Sequence, residues 1–213
     1  MNRPETIVAP SVWTEAVSAL AVELKRLAER QTTDLKRVYR VTVSVPDTDP
    51  LLWLHGQSAE KKCYWRDREG GCETAGIGAA VELNLDAPCD YARLADEVER
   101  WLGDDSTIRF FGGLRFDTTT PPQTESAWEA FGVGQFLLPR VALIRDHHET
   151  RLGCHLTADE IRSLDIERLL SDLKAPMPFD DSVATLETAR IDRPAREEWE
   201  RNMSAVNGLF ADG

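Results

Sequence analysis

His147, His148, Cys154 and His155 stand close together and are of types that ligate metals or move protons. A metal site on a hairpin would need these side chains to converge. Their spacing matches no zinc pattern. Neighbours on a strand point to opposite faces, so His147 and His148 are expected in a solvated turn. Adjacency likewise separates the Cys154 thiol from the His155 ring, which disfavours a nucleophile–base pair. No G-x-S-x-G elbow is present to present a serine. Thr74-Ala75-Gly76-Ile77-Gly78-Ala79-Ala80 contains G-x-G, but Val81 stands where a dinucleotide-binding loop has its third glycine. Small residues here are expected to admit a close neighbour instead. Carboxylates are abundant, yet no spacing singles out an acid–base pair. Asp104-Asp105 and Asp180-Asp181 read as loop charge.

Composition narrows the partners. The chain has 213 residues and a net charge of −12, with a pI near 4.8. Nucleic acid and anionic lipid both demand a cationic face, so neither is expected as a partner. No apolar run approaches the roughly 18–20 residues of a membrane helix. Met1 is followed by Asn2, Arg3, Pro4 and Glu5, with no secretory leader pattern. The cysteines Cys63, Cys72, Cys89 and Cys154 are scattered, and free thiols in a cytoplasmic protein are expected.

The elements that must position these residues read as follows. Residues 11–30 carry apolar positions at steps of three and four (Trp13, Ala16, Val17, Leu20, Leu24, Leu27), a helix with Ser11 as its N-cap. Tyr39, Val41, Val43 and Val45 alternate with polar neighbours and predict a strand with one apolar face. A short apolar run at 51–54, a strand at 62–66, a turn at Glu69-Gly70-Gly71 and a strand at 74–83 read as an antiparallel meander. A helix over 90–102, capped by Asp90, would bury Tyr91, Leu94, Ala95, Val98, Trp101 and Leu102. A strand at 107–116 and a surface loop at 117–126 follow. Residues 135–156 suggest a hairpin that turns at 146–150. Thr157 and Glu160 form a T-x-x-E capping box that would open a helix carrying Ile161, Leu164, Leu169, Leu170 and Leu173. A last strand at 183–191 precedes a helix with Trp199, Met203, Val206 and Phe210 as its stripe. Strands and helices do not alternate regularly, so the expected class is α+β: a mostly antiparallel sheet with helices packed on it.

Two segments resemble a known family. The first is Tyr64-Trp65-Arg66-Asp67-Arg68 followed by Ala75-Gly76-Ile77-Gly78-Ala79-Ala80. The second is Phe110-Phe111-Gly112-Gly113-Leu114-Arg115-Phe116-Asp117, then Trp128 and Phe131, then Phe136-Leu137-Leu138-Pro139-Arg140. This succession, residues 64–140, is similar to the N-terminal region of isochorismate synthases, among the chorismate-utilising enzymes. The run from Trp199 through Met203, Val206 and Leu209 to Gly213 resembles the helix preceding that family's catalytic half.

The resemblance implies one α+β region over residues 1–213, with the C-terminal catalytic half absent. It implies an isomerase that converts chorismate to isochorismate for menaquinone, siderophore or salicylate synthesis, inactive without that half. The family's activating lysine, acidic glutamate and Mg²⁺-holding carboxylates would all lie beyond Gly213. No residue here is therefore assigned a catalytic, cofactor-binding or metal-binding role, and Mg²⁺ is not expected to be bound by this chain. The missing half, in cis or as a split subunit, would be the partner, and chorismate would bind only with it. Anthranilate or aminodeoxychorismate synthase subunits, and a free-standing binding module, are the alternatives. Within the matched motifs, Phe110, Phe111, Leu114, Phe116, Phe136 and Leu138 are expected on core strand faces. Gly112-Gly113 would permit close packing, and Arg66, Arg115 and Arg140 would pair with surplus carboxylates.

Overall fold

The computed structural model describes residues 9–30, 38–86, 91–102, 107–116, 131–161, 163, 165–178 and 194–211. The chain divides into two compact units, Met1–Phe179 and Asp180–Gly213. In the first, a five-stranded antiparallel sheet has the order β1-β8-β7-β3-β2, and a three-stranded one the order β4-β6-β5.

The larger sheet is built from β1 (Val38–Val45), β2 (Lys62–Arg66), β3 (Cys72–Ile77), β7 (Val141–Asp146) and β8 (Thr150–Thr157). Its period-two alternation sends Tyr39, Val41 and Val43, Ala75 and Ile77, Val141 and Leu143, and Leu152, Cys154 and Leu156 to one core. Helix α1 (Pro10–Glu29) lies on β1 and β8. It buries Trp13, Ala16, Leu20 and Leu24 there, the stripe its spacing predicts. The helix starts one residue earlier than Ser11 implied: Pro10 takes the first position, and Ala9 precedes it without a side-chain cap.

The run at 51–54 is a helix rather than part of a meander. In α2 (Pro50–Gly56), the Asp49 carboxylate accepts from the Leu51 and Leu52 N–H groups, and Pro50 supplies a pre-set φ. Trp53 is completely buried and meets Trp13 at 6.3 Å between ring centroids, tilted by 45°. The T-x-x-E box also works differently from expectation. The Thr157 N–H and hydroxyl both donate to Glu160 Oε2, but residues 158–161 form turns. The helix α4 (Ile166–Ser171) begins later, capped by Asp165. Ile161, Leu169, Leu170 and Leu173 still join the main core. Leu164 lies outside the described residues.

The expected strand at 74–83 is two strands in different sheets. Gly78 has φ +60° and ends β3, and β4 (Val81–Leu85) starts the second sheet. The long arm expected from 135 divides in the same way: β6 (Gly134–Leu138) pairs with β4 and with β5 (Phe111–Leu114), and Pro139-Arg140 lead into β7. The β7–β8 hairpin turns at 146–150 as its polar residues imply. Helix α3 (Tyr91–Leu102) closes a second core with Val81, Leu83, Leu138, Ile108 and Val38. In α3, Tyr91 and Ala95 are exposed, contrary to expectation, and Leu94, Val98, Trp101 and Leu102 carry the packing. Only residues 111–114 of the anticipated 107–116 strand are paired, and Phe116 projects wholly into solvent.

In the second unit, α5 (Arg196–Ala211) forms where Pro194 and the stripe predicted it. Trp199, Met203, Val206 and Phe210 are exposed. The anticipated strand at 183–191, the Asp90 cap, the loop at 117–126, Trp128, Cys89 and the pairs Asp104-Asp105 and Asp180-Asp181 lie outside the described residues.

Candidate functional site

Helices cover one face of the five-stranded sheet; the site lies on the other. Alternation sends Arg40 of β1, Cys72 and Thr74 of β3, Ala142 and Ile144 of β7, and Arg151 and His155 of β8 to that second face. The antiparallel registers place Arg40 opposite His155, Ile144 opposite Arg151 and Thr74 opposite Ile144. Thr107 and Arg109, ahead of β5, and Phe111 at its start lie over this patch. Together they enclose a cavity of about 350 Å³.

The cavity is cationic in an acidic chain: Arg40, Arg109 and Arg151 line it against the single carboxylate of Asp146. That carboxylate is already engaged. Asp146 Oδ1 accepts from the N–H groups of His148 (2.9 Å) and Glu149 (3.0 Å), and Oδ2 from Arg151 (2.7 Å). The His148 amide leads in holding its pKa below the ordinary value. Arg151 also lies 3.4 Å from Glu149. Arg40 donates to the Thr107 carbonyl at 3.4 Å. The Arg109 guanidinium sits over the Trp65 ring, 5.6 Å from its centroid. His155 is buried, with Nδ1 2.8 Å from the Pro139 carbonyl; a carbonyl only accepts, so Nδ1 carries the hydrogen.

Elsewhere, carboxylates are locked rather than poised. Glu73, 5% exposed, meets Arg145 at 2.6 Å and Arg66 at 3.0 Å. Arg140 grips both oxygens of Glu160 at 2.6 and 2.8 Å and also donates to the His155 carbonyl. Burial works to raise the Glu160 pKa, but the Arg140 and Thr157 hydrogen bonds prevail and hold it at about 2. Burial pushes the Cys63 thiol up to about 11 and Cys154 to about 12, so neither is a thiolate nucleophile near neutrality. Among the described residues no group of three or more His, Cys, Asp or Glu side chains could hold a metal. Mg²⁺ takes oxygen ligands, and the carboxylates of Glu73 and Glu160 are turned to arginines instead.

The sequence-derived expectations divide along these lines. His147 and His148 sit in the exposed bend after β7, away from buried His155. Gly76 admits a close neighbour: a Cβ there would come within 2.5 Å of Pro139 Cβ and 2.7 Å of Cys63 Sγ. Gly112 does the same, with the Gln135 carbonyl 2.0 Å from where its Cβ would stand. Arg66 and Arg140 pair with carboxylates; Arg115 has a buried Nη1 with no hydrogen-bond partner among the described residues. Cys63, Cys72 and Cys154 are free thiols. The trio Arg40, Arg109 and Arg151 was not anticipated. Its one sequence signal is Arg40 on the polar face of a strand whose other face is all apolar.

Comparisons with known proteins agree with the motif run. The sequence profile described as "Chorismate binding enzyme" matches residues 23–211. Among solved structures, the chain is similar to MenF, the menaquinone-specific isochorismate synthase from Escherichia coli, with a TM-score of 0.56 and 18% identity. The likeness covers 78% of this chain and 36% of that one, so the chain spans little more than a third of that enzyme's length. At that identity the likeness speaks for the fold: α+β, with antiparallel sheets and packed helices. No curated protein matches the sequence. Among the described residues no helix is long and apolar enough to cross a membrane.

Proposed function

The chain belongs to the chorismate-binding enzyme family, and from that premise we propose that it is the N-terminal segment of an isochorismate synthase. The enzyme would isomerise chorismate to isochorismate in the cytoplasm and supply menaquinone synthesis, or a siderophore or salicylate route. The observation that carries this reading is the likeness to MenF over most of this chain and only 36% of that one. The chemistry supports it. Moving a hydroxyl between ring positions requires a base to activate water and an acid for the leaving group. It also requires a cation against the substrate carboxylates. Glu160 and Glu73 are committed to arginines, and the described residues assemble no metal cluster. These roles, with Mg²⁺, belong to the remainder of such an enzyme. This segment's contribution is the sheet against which that remainder is built.

The test has two arms. The purified 213-residue chain with chorismate and Mg²⁺ gives no isochorismate. Co-expression with the part of an isochorismate synthase beyond the matched region restores turnover. Coding sequence past Gly213 carries a lysine-bearing strand of K-V-V-L-A-R type. Turnover by the chain alone, or unrelated sequence downstream, refutes the proposal. Turnover to an aminated product, only when ammonia is supplied, would move the chain to an anthranilate- or aminodeoxychorismate-type enzyme.

A further inference from the structure

We propose that residues 172–178 form a latched flap over a second cavity of the first unit, and that the side chain of Gln57 is the latch. The flap leaves the end of α4 at Asp172 and runs towards the boundary of the first unit at Phe179. It has no helix or strand of its own. Main chain without a regular partner must satisfy its N–H and C=O groups in another way. Here a side chain takes the partner's place. Gln57, just past the end of α2, is 4% exposed. Its Oε1 accepts from the Lys174 N–H at 3.0 Å, and its Nε2 donates to the Lys174 carbonyl at 2.9 Å. A carboxamide carries the donor and acceptor of a peptide group, so Gln57 pairs with Lys174 as one residue of a neighbouring strand would. Nε2 also donates to the Trp53 carbonyl at 2.9 Å, which fixes the orientation of the amide.

The latch is mounted on a braced element. The Lys62 ammonium donates to the Leu54 and Gln57 carbonyls at the C-terminal end of α2. Gly56 lets the flap come close: a Cβ there would stand 3.1 Å from the Ala175 carbonyl and 3.4 Å from Met177 Cγ. On the exposed rim, the Lys174 ammonium donates to the Ser58 hydroxyl.

The flap itself is lightly held. Of residues 172–178 only Pro176 is buried, and a segment with little buried surface opens at lower cost than the whole domain unfolds. Asp172, Leu173 and Lys174 form one wall of a cavity of about 570 Å³ that Ile77 and Val141 also line. When Lys174 leaves Gln57, that wall is withdrawn and the cavity opens, while the sheet beneath stays paired. Gln57 sets the cost of the step, because its amide is buried and loses its partners as the flap lifts. The inference stands on these residues and does not depend on the isochorismate synthase reading.

Amide exchange of the 213-residue chain, followed by NMR in urea kept below the unfolding range, tests it. The Lys174 amide is protected, and its exchange is nearly independent of urea because the opening exposes little surface; the paired amides of β7 and β8 show the steep dependence of global unfolding. Gln57→Met keeps the length of the side chain and removes its three hydrogen bonds. It retains the native circular dichroism and speeds exchange at Lys174 by about tenfold or more. A thiol placed on the cavity lining by Ile77→Cys is alkylated by iodoacetamide with the same flat urea dependence, and faster when Gln57→Met is added. Cys154, buried in the same core, follows the unfolding curve instead. The inference is overturned if the Lys174 amide is unprotected in the unsubstituted chain, if its exchange is as steep in urea as that of β7 and β8, or if Gln57→Met leaves either the amide or the introduced thiol unchanged. The urea slopes of the unsubstituted chain decide the flap by themselves should Gln57→Met not fold.

Discussion

Replacing Glu160 by Gln tests whether the most visible motif residue of the chain, Arg140, acts through packing and pairing. Arg140 is 12% exposed at its side chain and holds both Glu160 oxygens, at 2.6 and 2.8 Å. Gln keeps the size and removes the charge; its amide N–H₂ then faces guanidinium N–H groups. Glu160 is held at about 2 against an ordinary 4.5. At about 1.4 kcal/mol per pH unit that difference is worth about 3 kcal/mol. Glu160 keeps 32% exposure, and solvent screening reduces the figure to about 2 kcal/mol. The sign follows from the direction. The folded pKa is depressed, so the stabilisation is complete above about 4.5 and is lost as pH falls through about 2.

Urea denaturation of wild type and Glu160→Gln, from about pH 7 down to about pH 3, measures the gap. It should be about 2 kcal/mol at neutral pH and shrink by roughly half between pH 5 and pH 3. Glu167→Gln serves as control. Glu167 pairs with Lys25 at 2.9 Å, but both side chains are more than half exposed, and no measurable change is expected. A neutral-pH gap below about 0.5 kcal/mol, or one that stays constant across the acid range, refutes the assignment of Glu160 as Arg140's charge partner.

Two further expectations follow from the geometry. Gly112→Ala should destabilise by about 3 kcal/mol or more, because the new Cβ would lie 2.0 Å from the Gln135 carbonyl, whereas Gly113→Ala, whose nearest contact is Phe131 at 3.7 Å, should cost less than about 1 kcal/mol; equal melting temperatures would contradict this. Of the described thiols, Cys72 should be modified first by a thiol reagent near pH 8, with Cys63 slower and buried Cys154 slowest; peptide mapping of the alkylated chain decides the order.

What the sequence disclosed follows the range of the forces involved. The α1 stripe, the apolar face of β1 and the β7–β8 turn are local patterns of period 3.6, period 2 and polar punctuation, and all three stand as expected. The failures occur where tertiary context decides. Asp49-Pro50 turned an apolar run into a capped helix. A single αL residue, Gly78, divided one apparent strand between two sheets. The cationic cavity was out of reach for a further reason. Arg40 meets His155 only because β1 pairs with β8, and Arg109 arrives from an irregular segment. Register between distant strands is not written in the composition of either one.

The residues that carry the family resemblance prove to be those that pack, and this bears on what the segment can do. Gly76 and Gly112 are small because a proline ring and a backbone carbonyl occupy the space beside them. Arg140 is spent on Glu160 and the His155 carbonyl. A carboxyl held at about 2 is ionised at neutral pH and has no proton to give a leaving group, so Glu160 cannot serve as a general acid there. Freeing it would require withdrawing Arg140 from a site where it is 12% exposed, which strands a buried charge. Glu73 is likewise paired, with Arg66 and Arg145. Among the described residues, then, the carboxylates that the motif arginines grip hold the fold together rather than move protons.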